Sequence, residues 1–412
     1  MKLATVWQNR GKPLQAIANY EKAIQLQPDY LPAYLNLVQL LVQTGQTQQA
    51  IDTYGQGIET AIAKVWFPPH QAREEYRKAL KRRQEIGQAP RVLLYTNCPG
   101  TYGAEQISHA LMLRLVNSGY QVICVQTQAD HHLIQARQAL GIKHIWLKDD
   151  AYQFGYTFGN ALEVAEIVAA TLPDLIIFAD GNPLDDLAAN WVAMSLQIPY
   201  IRVIHCVIPD WAKYYAPYLC LLPDIYRASA AVISVSHANL QLMREMFLLP
   251  ENLGQVIYNG RPEDYFVPCV AEVRERLRQY LGIPWDGVVI FTAARMYPVK
   301  GYQHQVKAIA QLRQFPVWSK LYFVWAGIGT LETQLKTDLE ELGVGERVKF
   351  LGERADIPDL LEAADIFLLP SHVEGMPLAI MEAMAKGLPV IATAISGIPE
   401  ELGDTGKLLP DP

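Results

Sequence analysis

Two glutamates eight positions apart are the most informative residues of the sequence. Glu374 and Glu382 lie within the stretch from Pro370 to Val390. If all eight steps were helical, the carboxylates would lie about 12 Å apart along the helix axis, at roughly 1.5 Å per residue. That separation suits one carboxylate that binds a sugar hydroxyl and one that binds a ribose, with a diphosphate on backbone N–H groups between them. The alternative is a solvated helix with two ordinary surface acids, because acidic side chains are usually exposed.

A strand, a loop and a helix must position these glutamates. Ile366 to Leu369 reads as a buried strand, and Ser371 to Gly375 reads as its exit loop. Pro377 is predicted to be the first residue of a helix that ends near Lys386, because the missing N–H of proline costs nothing at that position. The free N–H groups of the helix then face the carboxyl edge of a parallel strand, where α/β sheets bind anionic ligands.

The segment resembles the signature of two glutamates separated by seven residues in the group 1 (family 4) retaining glycosyltransferases. Other segments resemble that family in the same order. Phe291 to Gly301 is similar to the strand end whose arginine and lysine grip the donor diphosphate, which are Arg295 and Lys300 in this chain. Val324 to Gly329 is similar to the glycine turn of the family. The resemblance covers about residues 90 to 412 and is strongest after Asn259.

The resemblance implies a fold and a reaction. The fold is GT-B, an α/β architecture of two Rossmann-like domains that face a cleft. The reaction moves a hexosyl group from a nucleotide sugar to an acceptor hydroxyl with retention of anomeric configuration. Arg295 and Lys300 would neutralise the leaving diphosphate together with helix N–H groups, so we expect no metal and no cofactor. The implied donor-binding residues are Arg295, Lys300, Gly327, Gly329, Glu374, Gly375, Met376, Pro377, Leu378 and Glu382.

The first α/β half supplies the remaining candidates. The loop from Gly100 to Glu105 resembles the G-G-A/S-E turn of the family, with Tyr102 in place of the first glycine. The acceptor-side residues are therefore Gly103, Ala104 and Glu105, although a plain strand-to-helix turn also explains the glycine. His205 follows the predicted strand from Tyr200 to Ile204, where the family places a histidine near the donor sugar. The implied catalytic residues are Glu374, His205, Arg295 and Lys300; a structural histidine is the alternative for His205.

Composition agrees with this interpretation. The chain has 412 residues, of which 50% are hydrophobic and 19% charged, and is long enough for two or three domains. No apolar run approaches a membrane span and the first 15 residues contain no signal-peptide core, so we expect a cytoplasmic protein with at most peripheral contact at the inner membrane surface. Five widely spaced cysteines are expected to be reduced thiols. They are Cys98, Cys124, Cys206, Cys220 and Cys269.

An internal repeat marks the beginning of the chain. Gly11 matches Gly45 and Tyr20 matches Tyr54, each 34 positions apart, which is the period of tetratricopeptide helix pairs. The pattern places Met1 inside the first helix of the first repeat, so we expect that repeat to be incomplete. Such repeats offer a concave face to a protein partner, and a structural cap is the alternative.

A basic helix is predicted after the repeats. Residues 1 to 89 hold 11 Lys and Arg against 7 Asp and Glu, whereas the other residues hold 24 against 35. Arg73, Arg77 and Lys81 lie at i, i+4 spacing between Gln71 and Gly87. A membrane surface with a lipid acceptor could attract this helix, but interrupting glutamates favour a solvated outer face. No nucleic-acid partner is expected, because the rest of the chain is acidic.

The predicted domain boundaries follow from these segments. Asn259 to Pro268 resembles the inter-domain crossing of the family. We predict tetratricopeptide-like repeats over 1–70, a basic linker helix over 71–89, an acceptor domain over 90–262 and a nucleotide-sugar domain over 263–412 that lacks its final helices.

Two other functions stay open. One is a catalytically silent repeat scaffold with a GT-B binding platform. The other is an NAD-dependent enzyme, since Gly327-x-Gly329 follows a strand and Glu353 ends the next, although Glu332 stands where a third glycine is needed. The nucleotide, the sugar and the acceptor, whether glycan, glycolipid or protein, are left open.

Overall fold

Two parallel β-sheets organise the chain. The computed structural model describes residues 1–96, 100–148 and 158–410. They form two compact units, each of which contains one sheet. The first unit is Met1–Ser234 with Leu240–Ile257, and the second is Val235–Asn239 with Tyr258–Pro412. The prediction of two α/β units preceded by a helical segment is confirmed.

Five helices precede the first strand. They are α1 (Lys2–Asn9), α2 (Pro13–Leu26), α3 (Leu31–Gln43), α4 (Thr47–Val65) and α5 (Pro69–Glu85). Gly11 and Gly45 follow the first helix of each pair and both have positive φ, +65° and +78°. This left-handed conformation favours glycine, which explains why the glycines recur at the 34-residue period. Tyr20 and Tyr54, which also match, are both buried.

The helical segment shares a hydrophobic core with the first sheet. Tyr54 packs edge-to-face on Trp191 with 5.4 Å between the ring centroids. The Tyr76 hydroxyl donates a hydrogen bond to the Pro173 carbonyl oxygen. Arg83 pairs with Asp174 at 2.5 Å. The predicted boundary at residue 89 therefore separates elements that pack together.

The first sheet has seven parallel strands in the order β3-β2-β1-β4-β5-β6-β7. The strands are β1 (Arg91–Thr96), β2 (Gln121–Thr127), β3 (Lys143–Leu147), β4 (Leu175–Asp180), β5 (Tyr200–Ile204), β6 (Ala231–Ser234) and β7 (Gln255–Val256). The connecting helices are α6 (Gly103–Asn117), α7 (His132–Ala139), α8 (Phe158–Thr171), α9 (Leu187–Leu196), α10 (Pro209–Tyr214), α11 (Ala216–Leu219), α12 (Leu222–Ala228) and α13 (His237–Met246). Strand order reverses between β1 and β4, so the acceptor-side loop follows a strand at a switch point.

The second sheet has six parallel strands in the order β10-β9-β8-β11-β12-β13. The strands are β8 (Val288–Ala293), β9 (Leu321–Ala326), β10 (Val348–Phe350), β11 (Ile366–Leu369), β12 (Val390–Thr393) and β13 (Lys407–Leu409). The helices are α14 (Ala271–Tyr280), α15 (Tyr302–Leu312), α16 (Glu332–Glu341), α17 (Ile357–Ala363), α18 (Leu378–Ala385) and α19 (Ile398–Leu402). Strand order reverses between β8 and β11, which is the place where such sheets bind ligands.

One helix start differs from the prediction. Pro377 is the residue before α18 and has extended backbone, with φ −73° and ψ 118°, so the helix begins at Leu378. Proline fixes φ without requiring helical ψ, and it can therefore precede a helix as well as begin one.

A short segment from an earlier part of the chain completes the second unit. Val235–Asn239 belongs to this unit, whereas the residues on both sides of it belong to the first. The Glu400 carboxylate accepts hydrogen bonds from the backbone N–H groups of His237, at 2.8 Å, and Ala238, at 2.7 Å. A carboxylate at a helix start is favourable because the N–H groups there have no helical partner.

The basic helix α5 is anchored on the first unit. Ala72 and Tyr76 are buried, and Arg83 donates to both Asp174 and the Leu172 carbonyl oxygen. The basic face is therefore only partly exposed to solvent. The Arg83 side chain is 12% exposed, whereas the Lys81 side chain is 79% exposed. Among the described helices, none combines the length and apolar character that crossing a bilayer requires.

Cys98, one of the predicted reduced thiols, lies outside the described residues. The cysteines within the described ranges form no disulfide.

Substitution Arg83→Ala is expected to lower the unfolding temperature of the first unit. The change removes a partly buried ion pair and leaves Asp174 with only the backbone N–H of Arg91 as a donor, at a cost of roughly 1 to 3 kcal/mol. Lys81→Ala is the control on the same helix, because its surface pair with Glu85 contributes roughly 0.5 kcal/mol or less. Differential scanning calorimetry of both variants checks this. Equal transitions would show that α5 does not depend on the Arg83 contact.

Candidate functional site

Lys300 and Glu374 meet at the strand ends of the second sheet. The Lys300 Nζ atom donates to Glu374 Oε1 at 2.6 Å, and the Ser371 hydroxyl donates to the same oxygen at 2.7 Å. Lys300 follows β8 and Glu374 follows β11, the neighbouring strands at which the order reverses. The Lys300 and Glu374 side chains are 16% and 9% exposed. Two residues predicted from separate motifs therefore form one sheltered charge pair.

A close crossing of two loops produces this contact. Gly301 has φ +71°, and a Cβ atom there would lie 1.8 Å from the Pro370 carbonyl oxygen. Only glycine permits this approach. On the other side of the crossing, the backbone N–H of His372 donates to the Val299 carbonyl oxygen at 2.8 Å. The exit loops of β8 and β11 are thus fixed against each other.

Gly327 and Gly329 support the loop that carries Arg295. A Cβ atom at Gly327 would lie 2.0 Å from the Ala294 carbonyl oxygen, and one at Gly329 would lie 2.4 Å from the Met296 carbonyl oxygen. The glycine pattern that also suggests a dinucleotide fingerprint is thereby explained by backbone packing. Whether these glycines also contact a donor stays a prediction.

Arg295 lies on the same exit loop as Lys300. Its guanidinium carbon lies 5.1 Å from the centroid of the Tyr297 ring, a distance typical of a cation–π contact. Arg295 and Lys300 therefore both lie on the loop that follows β8. The predicted diphosphate site requires both cations on this loop.

Glu382 lies on α18 in a buried ion pair with Arg261. The Arg261 Nη2 atom donates to Glu382 Oε1, and the two side chains are 7% and 8% exposed. Burial raises the pKa of Glu382, and the neighbouring guanidinium opposes that rise. The sequence interpretation missed Arg261, because it read Asn259 to Pro268 only as a crossing between domains.

The start of α18 presents backbone groups. Met376 and Leu378 have buried side chains. The Gly375 carbonyl oxygen accepts from the Gly397 N–H at 3.0 Å, and the Met376 carbonyl oxygen accepts from Asn259 Nδ2 at 2.9 Å. The side chains at this helix start thus serve packing, and any ligand of Gly375, Met376, Pro377 or Leu378 would meet main-chain atoms.

A second carboxyl group near Glu374 was also missed. Burial, and then the charge of Glu374, raise the pKa of Glu401 to about 9. Glu401 lies on α19, and its side-chain oxygens have no hydrogen-bond partner among the described residues. It is therefore a neutral carboxylic acid at pH 7. Nothing in its local sequence distinguishes it from a surface acid such as Glu275.

His205 lies in the first unit, directly after β5. Burial lowers the pKa of its imidazole to about 4, so the ring is neutral at pH 7. Its backbone N–H donates to the Asp180 carbonyl oxygen at 2.9 Å, and its Nδ1 atom has no hydrogen-bond partner within the described ranges. The catalytic role of His205 stays a prediction.

The acceptor-side loop leads into α6, which begins at Gly103. Glu105 is completely buried and accepts a hydrogen bond from Arg137 Nη1 at 2.6 Å. Its carboxylate therefore points into the first unit, and the predicted acceptor-side role of Glu105 stays a prediction. The roles of Gly103 and Ala104 stay predictions.

Three family models match consecutive parts of the chain. "Tetratricopeptide repeat" matches residues 10–61, "Glycosyltransferase Family 4" matches 101–265, and "Glycosyl transferases group 1" matches 273–411. The last two together include every predicted site residue. The chain belongs to the group 1 (family 4) glycosyltransferases. Its beginning carries tetratricopeptide repeats, as the 34-residue period predicts.

Curated relatives of this group 1 glycosyltransferase differ in substrate. A D-inositol 3-phosphate glycosyltransferase of Corynebacterium aurimucosum is 29% identical over 51% of this chain and 51% of the relative. The UDP-Gal:alpha-D-GlcNAc-diphosphoundecaprenol alpha-1,3-galactosyltransferase of Escherichia coli is 33% identical over 38% of this chain and 40% of the relative. The chain spans about half the length or less of these relatives.

Solved structures of similar fold include HepE of Anabaena in complex with UDP and glucose. It covers 78% of this chain and 86% of its own, with a TM-score of 0.65 and 24% identity. WaaG, a glycosyltransferase involved in lipopolysaccharide biosynthesis, covers the same 78% of this chain and 86% of its own, with a TM-score of 0.61 and 17% identity. These similarities establish the fold of the group 1 glycosyltransferase.

Substitution Glu401→Gln is expected to stabilise the protein more at pH 8 than at pH 5. The folded state keeps a proton on Glu401 that the unfolded state releases above its ordinary pKa of 4.5. Between that value and about 9, rising pH therefore lowers the free energy of unfolding, by up to about 1.4 kcal/mol per pH unit. Glutamine has no such proton. Thermal unfolding from pH 5 to pH 9 tests this against Glu275→Gln, an exposed acid in the same unit, and parallel curves for Glu401→Gln and wild type would contradict it.

Proposed function

We propose that this chain transfers a hexosyl group from a nucleotide sugar to an acceptor hydroxyl, with retention of anomeric configuration and without a metal ion. The observation that carries the proposal is the contact of Lys300 with Glu374 at the strand ends of the second sheet. It joins a cation suited to a diphosphate with a carboxylate suited to a sugar hydroxyl. Family membership supplies the reaction class.

Glu374 can accept a hydrogen bond from a sugar hydroxyl in addition to those from its present partners. Its Oε1 atom accepts from both Lys300 and Ser371, whereas Oε2 makes no hydrogen bond with the described residues. A carboxylate has several acceptor positions, so Oε2 can bind a hydroxyl while Oε1 keeps its partners. Lys300 has three donor hydrogens and can likewise contact a phosphate oxygen without leaving Glu374.

Charge stabilisation is the main catalytic task of such a site. When the bond between the anomeric carbon and the diphosphate oxygen breaks, negative charge develops on the diphosphate. Arg295, Lys300 and the N–H groups at the start of α18 are fixed before the reaction and would stabilise that charge. In our proposal the acceptor oxygen forms its bond on the same face of the sugar, and its proton passes to the departing phosphate oxygen. A neutral His205 would hold a hydroxyl by a hydrogen bond.

Uridine diphosphate sugars are the first donors to test. One relative is named for UDP-galactose, and HepE was solved with UDP and glucose. The acceptor is proposed to be a glycan, a glycolipid or a protein. The repeats would add a protein partner. A silent scaffold is less favoured, because Arg295, Lys300, Glu374 and Glu382 are all present.

Nucleoside diphosphates are expected to raise the unfolding temperature of the wild type without added metal. At about 100 times the dissociation constant, a ligand stabilises the folded state by about 2.7 kcal/mol. The Arg295→Ala, Lys300→Ala double variant should lose this shift, because the diphosphate loses both cations. Thermal shift with UDP, GDP and ADP in the presence of EDTA checks this. The exposed pair Arg276→Ala, Lys307→Ala carries the same charge change and should keep the shift; an equal loss in both double variants would indicate general charge attraction.

Glu374→Gln is expected to lower turnover about a hundredfold, because an amide holds a sugar hydroxyl less strongly as charge develops. Donor consumption measured by release of nucleoside diphosphate gives the rate. Proton NMR of the wild-type product should show the anomeric configuration of the donor. Unchanged turnover in Glu374→Gln would remove the proposed mechanism, and an inverted product would remove retention.

A further inference from the structure

The chain segment from Asn259 to Tyr265 packs along the donor side of the second unit. Asn259 Nδ2 donates to the Met376 carbonyl oxygen at 2.9 Å, just before α18 begins. Two residues later, Arg261 reaches Glu382 in the middle of the same helix. One segment therefore contacts both the helix start, where we propose the phosphates bind, and the carboxylate proposed to bind the ribose.

Arg261 is held from two sides. Its guanidinium carbon lies 4.6 Å from the centroid of the Tyr265 ring, and its Nη2 atom donates to Glu382 Oε1. An arginine that stacks on an aromatic ring loses rotational freedom, so its planar donors keep a fixed direction. The carboxylate bonded to it is fixed in turn.

The two oxygens of Glu382 differ in their contacts. Oε1 accepts from Arg261, whereas Oε2 makes no hydrogen bond with the described residues. Oε2 is not among the buried side-chain oxygens without a partner, so it is open to a hydrogen bond from water or from a ligand.

A neighbouring ion pair in the same unit shows the contrast. Lys386, directly after α18, pairs with Glu362 at 2.9 Å, and both side chains are 6% exposed. The second oxygen of Glu362 accepts from the Val270 N–H at 3.2 Å, so this carboxylate is engaged at both oxygens. Burial and charge are the same in the two pairs, and only Glu382 keeps an oxygen available.

We propose that Arg261 is a positioning residue of a ribose subsite, where it orients Glu382 so that Oε2 accepts hydrogen bonds from the ribose hydroxyls of a nucleoside diphosphate. This inference rests on the proposed function, in which Glu382 binds the ribose, and adds the residue that orients Glu382. Two hydroxyls on adjacent ribose carbons suit one carboxylate oxygen and its lone pairs. Burial raises the pKa of Glu382 and the Arg261 guanidinium opposes that rise, so the arginine favours the charged carboxylate, whose hydrogen bonds are stronger than those of the neutral acid.

The test compares ribonucleoside diphosphates with analogues that lack both ribose hydroxyls. Isothermal titration calorimetry with UDP, GDP and ADP, and with their 2′,3′-dideoxy forms, measures the preference for ribose. The proteins are the wild type, Arg261→Met, Arg261→Lys, Glu382→Gln, the Arg261→Met, Glu382→Gln double variant and Lys386→Met. Lys386→Met is the matched control, because it breaks an equally buried ion pair in the same unit.

The wild type is expected to bind at least one ribonucleotide about tenfold or more tightly than its dideoxy form, which is the effect of a charge-assisted hydrogen bond. Arg261→Met should lose most of that preference while its affinity for the dideoxy form stays unchanged. The double variant should resemble Glu382→Gln alone, since the two residues act together. Lys386→Met should keep the full preference despite a similar loss of thermal stability, and Arg261→Lys should restore part of it.

Two results would overturn the inference, and they differ in what they leave standing. If Arg261→Met and Arg261→Lys keep the wild-type ribose preference while Glu382→Gln loses it, Arg261 is structural and the proposed function stands. If the folded wild type binds none of the six nucleotides, the proposed function fails together with this inference. Should Arg261→Met not fold, an intermediate preference in Arg261→Lys supports the inference, and a full preference contradicts it.

Discussion

The candidate site of the second unit depends on one contact between a lysine and a glutamate from different motifs. The two residues meet where the loops that follow β8 and β11 cross. Lys300 and Glu374 are 74 positions apart in the chain and 2.6 Å apart in space. This contact needs β8 beside β11, a glycine at residue 301 so that the loops can touch, and the Gly327 turn that supports the first loop. Much of the local backbone can be understood as the means of holding these two charges together, since a charge sheltered from water needs its partner.

Local signals in the sequence predicted the helices and strands well. Most contacts between residues that are distant in the chain could not be predicted from these signals. The strands Tyr200–Ile204 and Ile366–Leu369 were predicted with their observed bounds, because short apolar runs between turn residues are local. The repeat period predicted tetratricopeptide helices for the same reason. Arg261 and Glu401 could not be found this way, because their importance comes from burial beside Glu382 and Glu374 rather than from neighbouring residues. Glu105 shows the reverse: its motif was recognised, but the motif did not reveal that Arg137 would take its carboxylate.

Packing also explains why the repeats are not a separate body. Tyr54, Tyr76 and Arg83 contact Trp191, Pro173 and Asp174 of the first α/β unit. A pair of repeats cannot bury its own apolar faces, and stacking on neighbouring structure completes the core. Here the α/β unit provides that neighbouring structure, so any partner of the repeats would bind to a surface that shares its core with the first sheet.

Two separate regions of the gene encode the second unit, because it includes the five residues Val235–Asn239 as well as Tyr258–Pro412. A protein expressed from Tyr258 onward would contain the whole second sheet. It would not contain the N–H groups of His237 and Ala238, which donate hydrogen bonds to the Glu400 carboxylate. Exchange of the second unit between members of the family therefore requires the transfer of two separate coding regions. A single junction between residues 259 and 268 would combine the start of α13 from one parent protein with Glu400 from the other.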